Sequence, residues 1–198
     1  MNLDIDLKIL NNSGLKKILI VGVFHGDEPQ GEYFINKYLQ LKRQGLKNSL
    51  YFIPRLNKNN ARTNSSGVDL NRNFPTKNWI KSDKNDYFGG EFAACEDETK
   101  FLVNLIENNK FDAILTIHAP YKIINYDGPA ESLARVVSNI LGYPVESDIG
   151  YPTPGSFGTY CGVERNIPTL TIEVDENKAP EELLEHFVEL FDYFAYKY

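Results

Sequence analysis

Histidine, cysteine, surplus positive charge and long apolar runs are all scarce in this 198-residue chain, and each shortage excludes something. No segment approaches the roughly 20 consecutive apolar residues that a membrane-spanning helix needs. The start, Leu3-Asp4-Ile5-Asp6-Leu7-Lys8-Ile9, alternates apolar and charged residues. That is a strand pattern, without the charged stretch and apolar run of a signal peptide. Cys95 and Cys161 lie far apart and form no disulfide framework. Lys and Arg number 21 against 27 Asp and Glu, for a net charge of -6. This balance argues against nucleic acid or an anionic membrane as partner. What remains is the profile of a folded soluble protein, 42% apolar and 24% charged, with a length suited to a single domain over residues 1–198. The expectation is a cytoplasmic protein of bacterial type, without a signal peptide. Oligomeric state and any pairing of Cys95 with Cys161 are left open by the sequence.

Residues 3–9 and 16–24 read as strands around the turn Asn11-Asn12-Ser13-Gly14. The second is nearly continuous in apolar residues, as expected of a central strand buried on both faces. Pro29 and Gly45 bracket a helix over about 28–44. Leu50-Tyr51-Phe52-Ile53 is the next strand, stopped by Pro54. Periodicity then disappears from Asn57 to about Gly90. A loop this long, holding Phe74, Trp79 and Tyr87, reads as functional rather than disordered. Beyond it the chain predicts a helix over about 95–108, a strand over 112–117 ending at His118, and a helix opened by Pro129 and closed by Gly142. A strand over 168–174 and a last helix from Pro180 complete the pattern. Alternating strands and helices predict an α/β fold, with a mixed, mostly parallel twisted sheet and helices on both faces. In such a sheet the site lies beyond the carboxyl ends of the strands.

The histidines are at 25, 118 and 186. His25 and His118 end apolar runs, and Glu28 follows His25 by one helical turn. Two imidazoles and a carboxylate suit Zn²⁺ and leave one coordination position open. The plainer reading is a His packed at a helix start, a first-turn acid favoured by the helix dipole, and a His capping a strand. His186 lies among glutamates in the last helix and reads as a surface residue.

Asp69 would accept a hydrogen bond from a ligating histidine and fix its tautomer, or it is simply a turn residue after Gly67. Asn71 and Arg72 offer a neutral donor beside a planar fork that matches a carboxylate; alternatively they stabilise a surface loop. Arg62, in the same loop, could steady an oxyanion or be one more solvated cation. Glu173 interrupts an apolar strand, Leu170-Thr171-Ile172-Glu173-Val174. Burying a carboxylate without purpose is costly, so it reads as a general base beside the metal, or as an acid on an exposed edge.

Taken together, Gly22-Val23-Phe24-His25-Gly26-Asp27-Glu28, Gly67-Val68-Asp69-Leu70-Asn71-Arg72-Asn73-Phe74-Pro75, His118 and Thr171-Ile172-Glu173 resemble the zinc carboxypeptidases. The resemblance spans roughly residues 17–176. It implies a zinc carboxypeptidase-like fold with one Zn²⁺ per chain on His25, Glu28 and His118. Glu173 would be the base, Arg62 the oxyanion stabiliser, and Asn71 and Arg72 the grip on a terminal carboxylate. The family's mobile capping tyrosine falls on Tyr151, with Gly155 following it. Its cis peptide beyond the last ligand falls on Ala119-Pro120, a bond type that tolerates cis. The chain departs from the pattern beside that ligand, where Thr116-Ile117-His118-Ala119-Pro120 lacks the usual acid.

The segment Tyr151–Cys161 is most similar to the small bacterial murein peptide amidases within the family. That implies hydrolysis of the γ-D-glutamyl–meso-diaminopimelate bond, on a small peptide substrate with a free carboxylate. The short stretch between Asn57 and Arg62 is similar to N-acyl-aspartate deacylases, which keeps deacylation of an N-acyl amino acid as an alternative. A non-catalytic carboxylate-binding protein is a third reading, and Glu173 and Tyr151 argue against it.

Overall fold

The computed structural model describes residues 5–198 of the chain. Its strands are β1 (Lys8–Leu10), β2 (Lys17–Val21), β3 (Ser49–Ile53), β4 (Ala113–His118), β5 (Ile123–Asp127), β6 (Val145–Glu146) and β7 (Thr169–Glu173). Its helices are α1 (Gln30–Gln40), α2 (Asp97–Asn108), α3 (Glu131–Leu141) and α4 (Pro180–Tyr196). The strands form one sheet in the order β1-β3-β2-β4-β7-β5-β6. Its centre, β3-β2-β4-β7, is parallel throughout, while β1 on β3 and β5 on β7 are antiparallel. The mixed, mostly parallel sheet is therefore as expected.

Side-chain alternation along the strands divides the core in two. Ile18, Ile20, Leu115, Ile117, Leu170 and Ile172 face α1, α3 and α4. In α4, Leu183, Phe187, Leu190, Phe191 and Phe194 are buried, the i, i+4, i+7 spacing of an apolar stripe. Phe187 stacks on Phe34 of α1 with centroids 3.9 Å apart. The opposite strand faces, Leu19, Val21, Tyr51, Ile53 and Ile114, pack on Leu102 and Ile106 of α2 and on the long loop. Helices thus cover both faces. No helix of the described residues is long and apolar enough to cross a membrane.

Several boundaries differ from the sequence expectation. Residues 3 and 4 lie outside the described residues, and from residue 5 only Lys8–Leu10 forms strand. That strand does not pair with β2 across the intervening turn. It pairs with β3, Ile9 opposite Tyr51, because β2 already has a parallel partner on each edge. Helix α1 stops at Gln40 rather than 44, where Lys42 turns left-handed with φ 49°. Strands β5 and β6 and a π-helical turn at Thr159–Val163 were not anticipated. Ala119-Pro120 is cis. Cys95 and Cys161 are both free thiols.

The long loop after β3 holds its shape through asparagine side chains that replace missing ladder bonds. Asn57 Nδ2 donates to the Ala61 and Arg62 carbonyls, and Asn64 Oδ1 accepts from the Ser66 and Val68 N–H groups. Asn73 Nδ2 donates to the Gly89 carbonyl at 2.7 Å. The Asn content that looks like disorder in composition is what folds this segment.

Candidate active site

The carboxyl ends of β2, β4 and β7 reach the same edge of the sheet because these strands are parallel. From the end of β2 the chain runs through Gly22 to His25, then turns into α1. A Cβ on Gly31 would sit 1.9 Å from the Gly22 carbonyl oxygen, so the start of α1 abuts the strand only because both residues are glycine. The Glu28 N–H bonds back to the His25 carbonyl at 3.1 Å, closing the turn that brings their side chains together. His118 ends the neighbouring β4 and stacks on Phe24, centroids 5.6 Å apart.

His25, Glu28 and His118 offer ligand atoms that all lie within 4.8 Å of one another. The Glu28 carboxylate oxygens lie 2.8 Å from His25 Nδ1 and 3.0 Å from His118 Nδ1, and those two nitrogens are 3.3 Å apart. The opposite nitrogen of His25, Nε2, lies 3.1 Å from Asp69 Oδ1. With Nε2 held by Asp69, Nδ1 is the nitrogen that faces the carboxylate and the second imidazole, and it is there that a cation would take the place of a proton. The donor set of two imidazoles and one carboxylate fits zinc with an open position. Burial alone would pull the His25 imidazolium pKa down, but Asp69 and Glu28 outweigh it and hold it at about 9. Burial would likewise raise Glu28, yet the two histidines keep it well below the carboxylate range. The His118 Nε2 is buried without a protein partner among the described residues.

Asp69 is fully buried and spends both oxygens. Oδ1 accepts from His25 and from the Asn71 N–H at 2.9 Å, while Oδ2 accepts from Arg62 Nη2 at 3.0 Å. The turn-residue reading is also true of it, since the Asn71 contact caps the short helical turn Leu70–Arg72. Arg62 lies 3.8 Å from Glu28 and stacks over Tyr87 at 4.8 Å, so it is not a freely solvated cation. Asn71 Oδ1 accepts from the Phe157 N–H at 2.9 Å, which turns its amide NH₂ group the other way. Arg72 is buried to 6% exposure and braced by a 2.8 Å bond to the Asn71 carbonyl.

Glu173 is the last residue of β7, opposite His118 in register. With β4 on one side and β5 on the other, β7 is interior, and Glu173 is not an edge residue. Its Oε2 is buried with no partner among the described residues. Burial, with Glu28 adding repulsion, lifts its pKa above the ordinary glutamate value against the pull of His118. A carboxyl group lifted toward neutrality is suited to carrying protons in both directions. Tyr151 is 38% exposed at the mouth, and burial together with Tyr121 lifts its phenol to about 12, so it stays a neutral donor.

The cleft brings together His25, Glu28, Arg62, Asn71, Arg72, His118, Tyr151 and Glu173, with Asp69 beneath. His186 is elsewhere, on the surface of α4. The cleft also takes in Gly158 and Thr171, from segments that carry the resemblance, and Asn125 and Asp127, which no sequence motif assigns to the site. An adjoining outer cleft of about 450 Å³ opens past Arg72, Tyr121 and Tyr151 toward Ile80 and Tyr87.

Residues 5–136 match the family profile described as zinc carboxypeptidase. Murein peptide amidase A of Vibrio campbellii is 31% identical over 194 residues, covering 88% of this chain and 77% of that relative. Among solved structures, murein-tripeptide amidase from Escherichia coli superposes with a TM-score of 0.80 at 24% identity, over 92% of this chain and 82% of that one. Thrombin-activatable fibrinolysis inhibitor superposes with a TM-score of 0.77 at 18% identity, over 93% of this chain and 62% of that one. The family so matched is zinc-dependent and hydrolytic, and the imidazole–carboxylate cluster at the sheet edge has the donor chemistry such a family requires. By profile and by relative, the chain belongs to the zinc carboxypeptidase family.

Proposed function

We propose that this chain is an amidase of murein peptides, releasing a residue that carries a free α-carboxylate, and that the bond cut is γ-D-glutamyl–meso-diaminopimelate. The observation that carries the reading is a buried carboxylate grip, Arg72 with Asn71, in the same cleft as the His25–Glu28–His118 cluster and Glu173. A grip on the α-carboxylate next to the scissile amide fixes which bond reaches Glu173, and this gives exopeptidase selectivity. The name of the Vibrio campbellii relative supports murein peptides as the substrate class.

One zinc ion per chain would be held by His25, Glu28 and His118, and when bound it supplies Lewis acidity at the scissile carbonyl. Glu173 takes a proton from the attacking water and returns it to the departing amine, a cycle for which its raised pKa prepares it. The Arg62 guanidinium, clamped by Asp69, stabilises charge developing on the carbonyl oxygen. Tyr151 closes over the substrate from the exposed rim, and the outer cleft receives the acyl side of the peptide.

Mass spectrometry of products from γ-D-glutamyl–meso-diaminopimelate peptides, with N-acetyl-aspartate as the competing substrate, tests this reading. Release of diaminopimelate that stops with a chelator and returns with zinc is the expected result. Cleavage of N-acetyl-aspartate alone would make the chain a deacylase instead. Zinc bound with neither substrate cut would leave a carboxylate-binding protein.

A further inference from the structure

Arg62 is held from three sides. Nη2 donates to Asp69 Oδ2 at 3.0 Å, Nη1 lies 3.8 Å from Glu28 Oε1, and the guanidinium carbon sits 4.8 Å from the centroid of the Tyr87 ring. Its Nε is buried and has no partner among the described residues. The cation at the wall of the inner cleft is therefore fixed by its neighbours, with one N–H still unused. Asp69 and Glu28 set where its charge lies, and the ring under it sets which way the planar group faces.

Tyr87 is more than half exposed, yet the segment that carries it is pinned. Its N–H donates to Asn85 Oδ1 at 2.8 Å, and its carbonyl accepts from Ser82 Oγ at 3.4 Å. Phe88 beside it is buried, and the Phe88 carbonyl accepts from the Asp69 N–H at 2.8 Å. The acid that clamps Arg62 and the ring that stacks on it thus belong to one hydrogen-bonded unit. Tyr87 also lines both the inner cleft and the outer one. The outer cleft is largely apolar there, walled by Ile80, Pro152 and Pro154, and Lys81 and Lys84 nearby are both paired with Glu91.

We infer that Tyr87 is a positioning residue through which an occupant of the outer cleft acts on Arg62, so that a longer acyl side raises kcat and does not only lower KM. This rests on the proposed hydrolysis, in which the acyl side enters the outer cleft and Arg62 faces the carbonyl oxygen. Attraction between a cation and an aromatic face strengthens when water leaves the ring. A peptide that covers Tyr87 dries it and tightens the stack. The guanidinium is then set in place before charge develops on the oxygen, with no reorganisation left to do. Binding of a remote part of the substrate is in this way felt at the reacting bond. The ring face does the holding, and the hydroxyl takes no part.

Two peptides differ only in how far they extend into the outer cleft: γ-D-glutamyl–meso-diaminopimelate, and the same compound with L-alanine on its amino end. The zinc-loaded wild-type protein and Tyr87→Phe should turn over the longer peptide with kcat roughly 3- to 10-fold above the shorter. Tyr87→Leu changes an exposed position and disturbs no core. It should bring both peptides to the lower kcat, while zinc affinity, from competition with a chromophoric chelator, stays as in wild type. Equal kcat for the two peptides in wild type, a ratio that survives in Tyr87→Leu, or a loss in Tyr87→Phe as large as in Tyr87→Leu would each overturn the inference. A second readout needs no turnover. Solvent exchange of the Arg62 Nε proton, followed by NMR, should slow by a similar factor when saturating L-alanyl-D-glutamate is added to wild type or Tyr87→Phe, and should not change in Tyr87→Leu. Exchange that ignores this acyl product in wild type would also overturn the inference. If exchange slows but neither peptide is cut, the hydrolase reading fails and the link from Tyr87 to Arg62 stands. If the peptides are cut but neither exchange nor kcat responds to the acyl side, the hydrolase stands and the link falls.

Discussion

Replacing Asp69 by Asn tests whether the buried carboxylate under the cluster serves the metal or only the loop. Asp69 accepts three hydrogen bonds in a fully buried position, from His25 Nε2 at 3.1 Å, Asn71 N at 2.9 Å and Arg62 Nη2 at 3.0 Å. Asn is nearly isosteric, and its carbonyl oxygen can keep the His25 and Asn71 contacts. Its NH₂ group then faces Arg62 Nη2, donor against donor, and the negative charge behind His25 is gone. Loss of such a partner behind a ligating imidazole weakens metal binding about 10- to 100-fold, or roughly 1.4–2.7 kcal/mol. Competition with a chromophoric chelator at fixed pH measures this directly. Asp97→Asn is the control, because Asp97 only pairs with Lys100 on the surface of α2. Zinc affinity unchanged in Asp69→Asn, with the control equally silent, would refute the idea that Asp69 supports a ligand. It would reduce the residue to its part in the Leu70–Arg72 turn.

Other substitutions probe the remaining parts of the site. Glu173→Gln should retain zinc by metal analysis while turnover falls by about 10² to 10⁴; a variant as active as wild type would exclude Glu173 as the base. Arg72→Lys keeps charge but loses the planar fork, so KM for a carboxylate-bearing substrate should rise about 10-fold or more with a smaller change in kcat. A fall confined to kcat would count against a binding role. Gly31→Ala drives a Cβ into the Gly22 carbonyl and should cost about 1–3 kcal/mol in chemical denaturation, with loss of zinc affinity because Glu28 moves with α1. Unaltered denaturation would contradict the close approach of the two glycines.

Much of the site was legible because its residues follow one another in recognisable phrases at the ends of apolar strands. His25, His118 and Glu173 mark the carboxyl ends of β2, β4 and β7, and a run of apolar residues ending in a polar one is visible in a sequence. The pairing of β1 was not legible, since hydrophobic alternation says that a strand exists but not which edge is free to receive it. Strand β5 escaped for another reason. Ile124 and Tyr126 alternate with Asn125 and Asp127 as in any half-exposed strand of five residues, too short to stand out beside the adjoining turn. Even a correct strand assignment would have sent Asn125 and Asp127 to solvent. A cleft floor and open water look alike to periodicity, because both are simply not core.

Titration separates those two environments, and Asp127 is where it should do so. The residue's carboxyl, ordinarily near 3.8, is pushed up to about 6 by burial. Below both values it is protonated whether the chain is folded or not, and it costs nothing. As pH rises past 3.8 the unfolded chain ionises first, and by the time pH passes 6 the folded state has lost roughly 3 kcal/mol relative to it. Asp127→Asn removes that loss. The variant should be more stable than wild type at pH 7.5 by up to roughly 3 kcal/mol, with the difference closing as pH falls below 4. Denaturant titrations at the two pH values measure it. A difference that does not change with pH would mean that the carboxylate is solvated and that the cleft is open to water at this end. If the difference follows pH, the fold carries at position 127 a charge that weakens it and that no side chain among the described residues relieves.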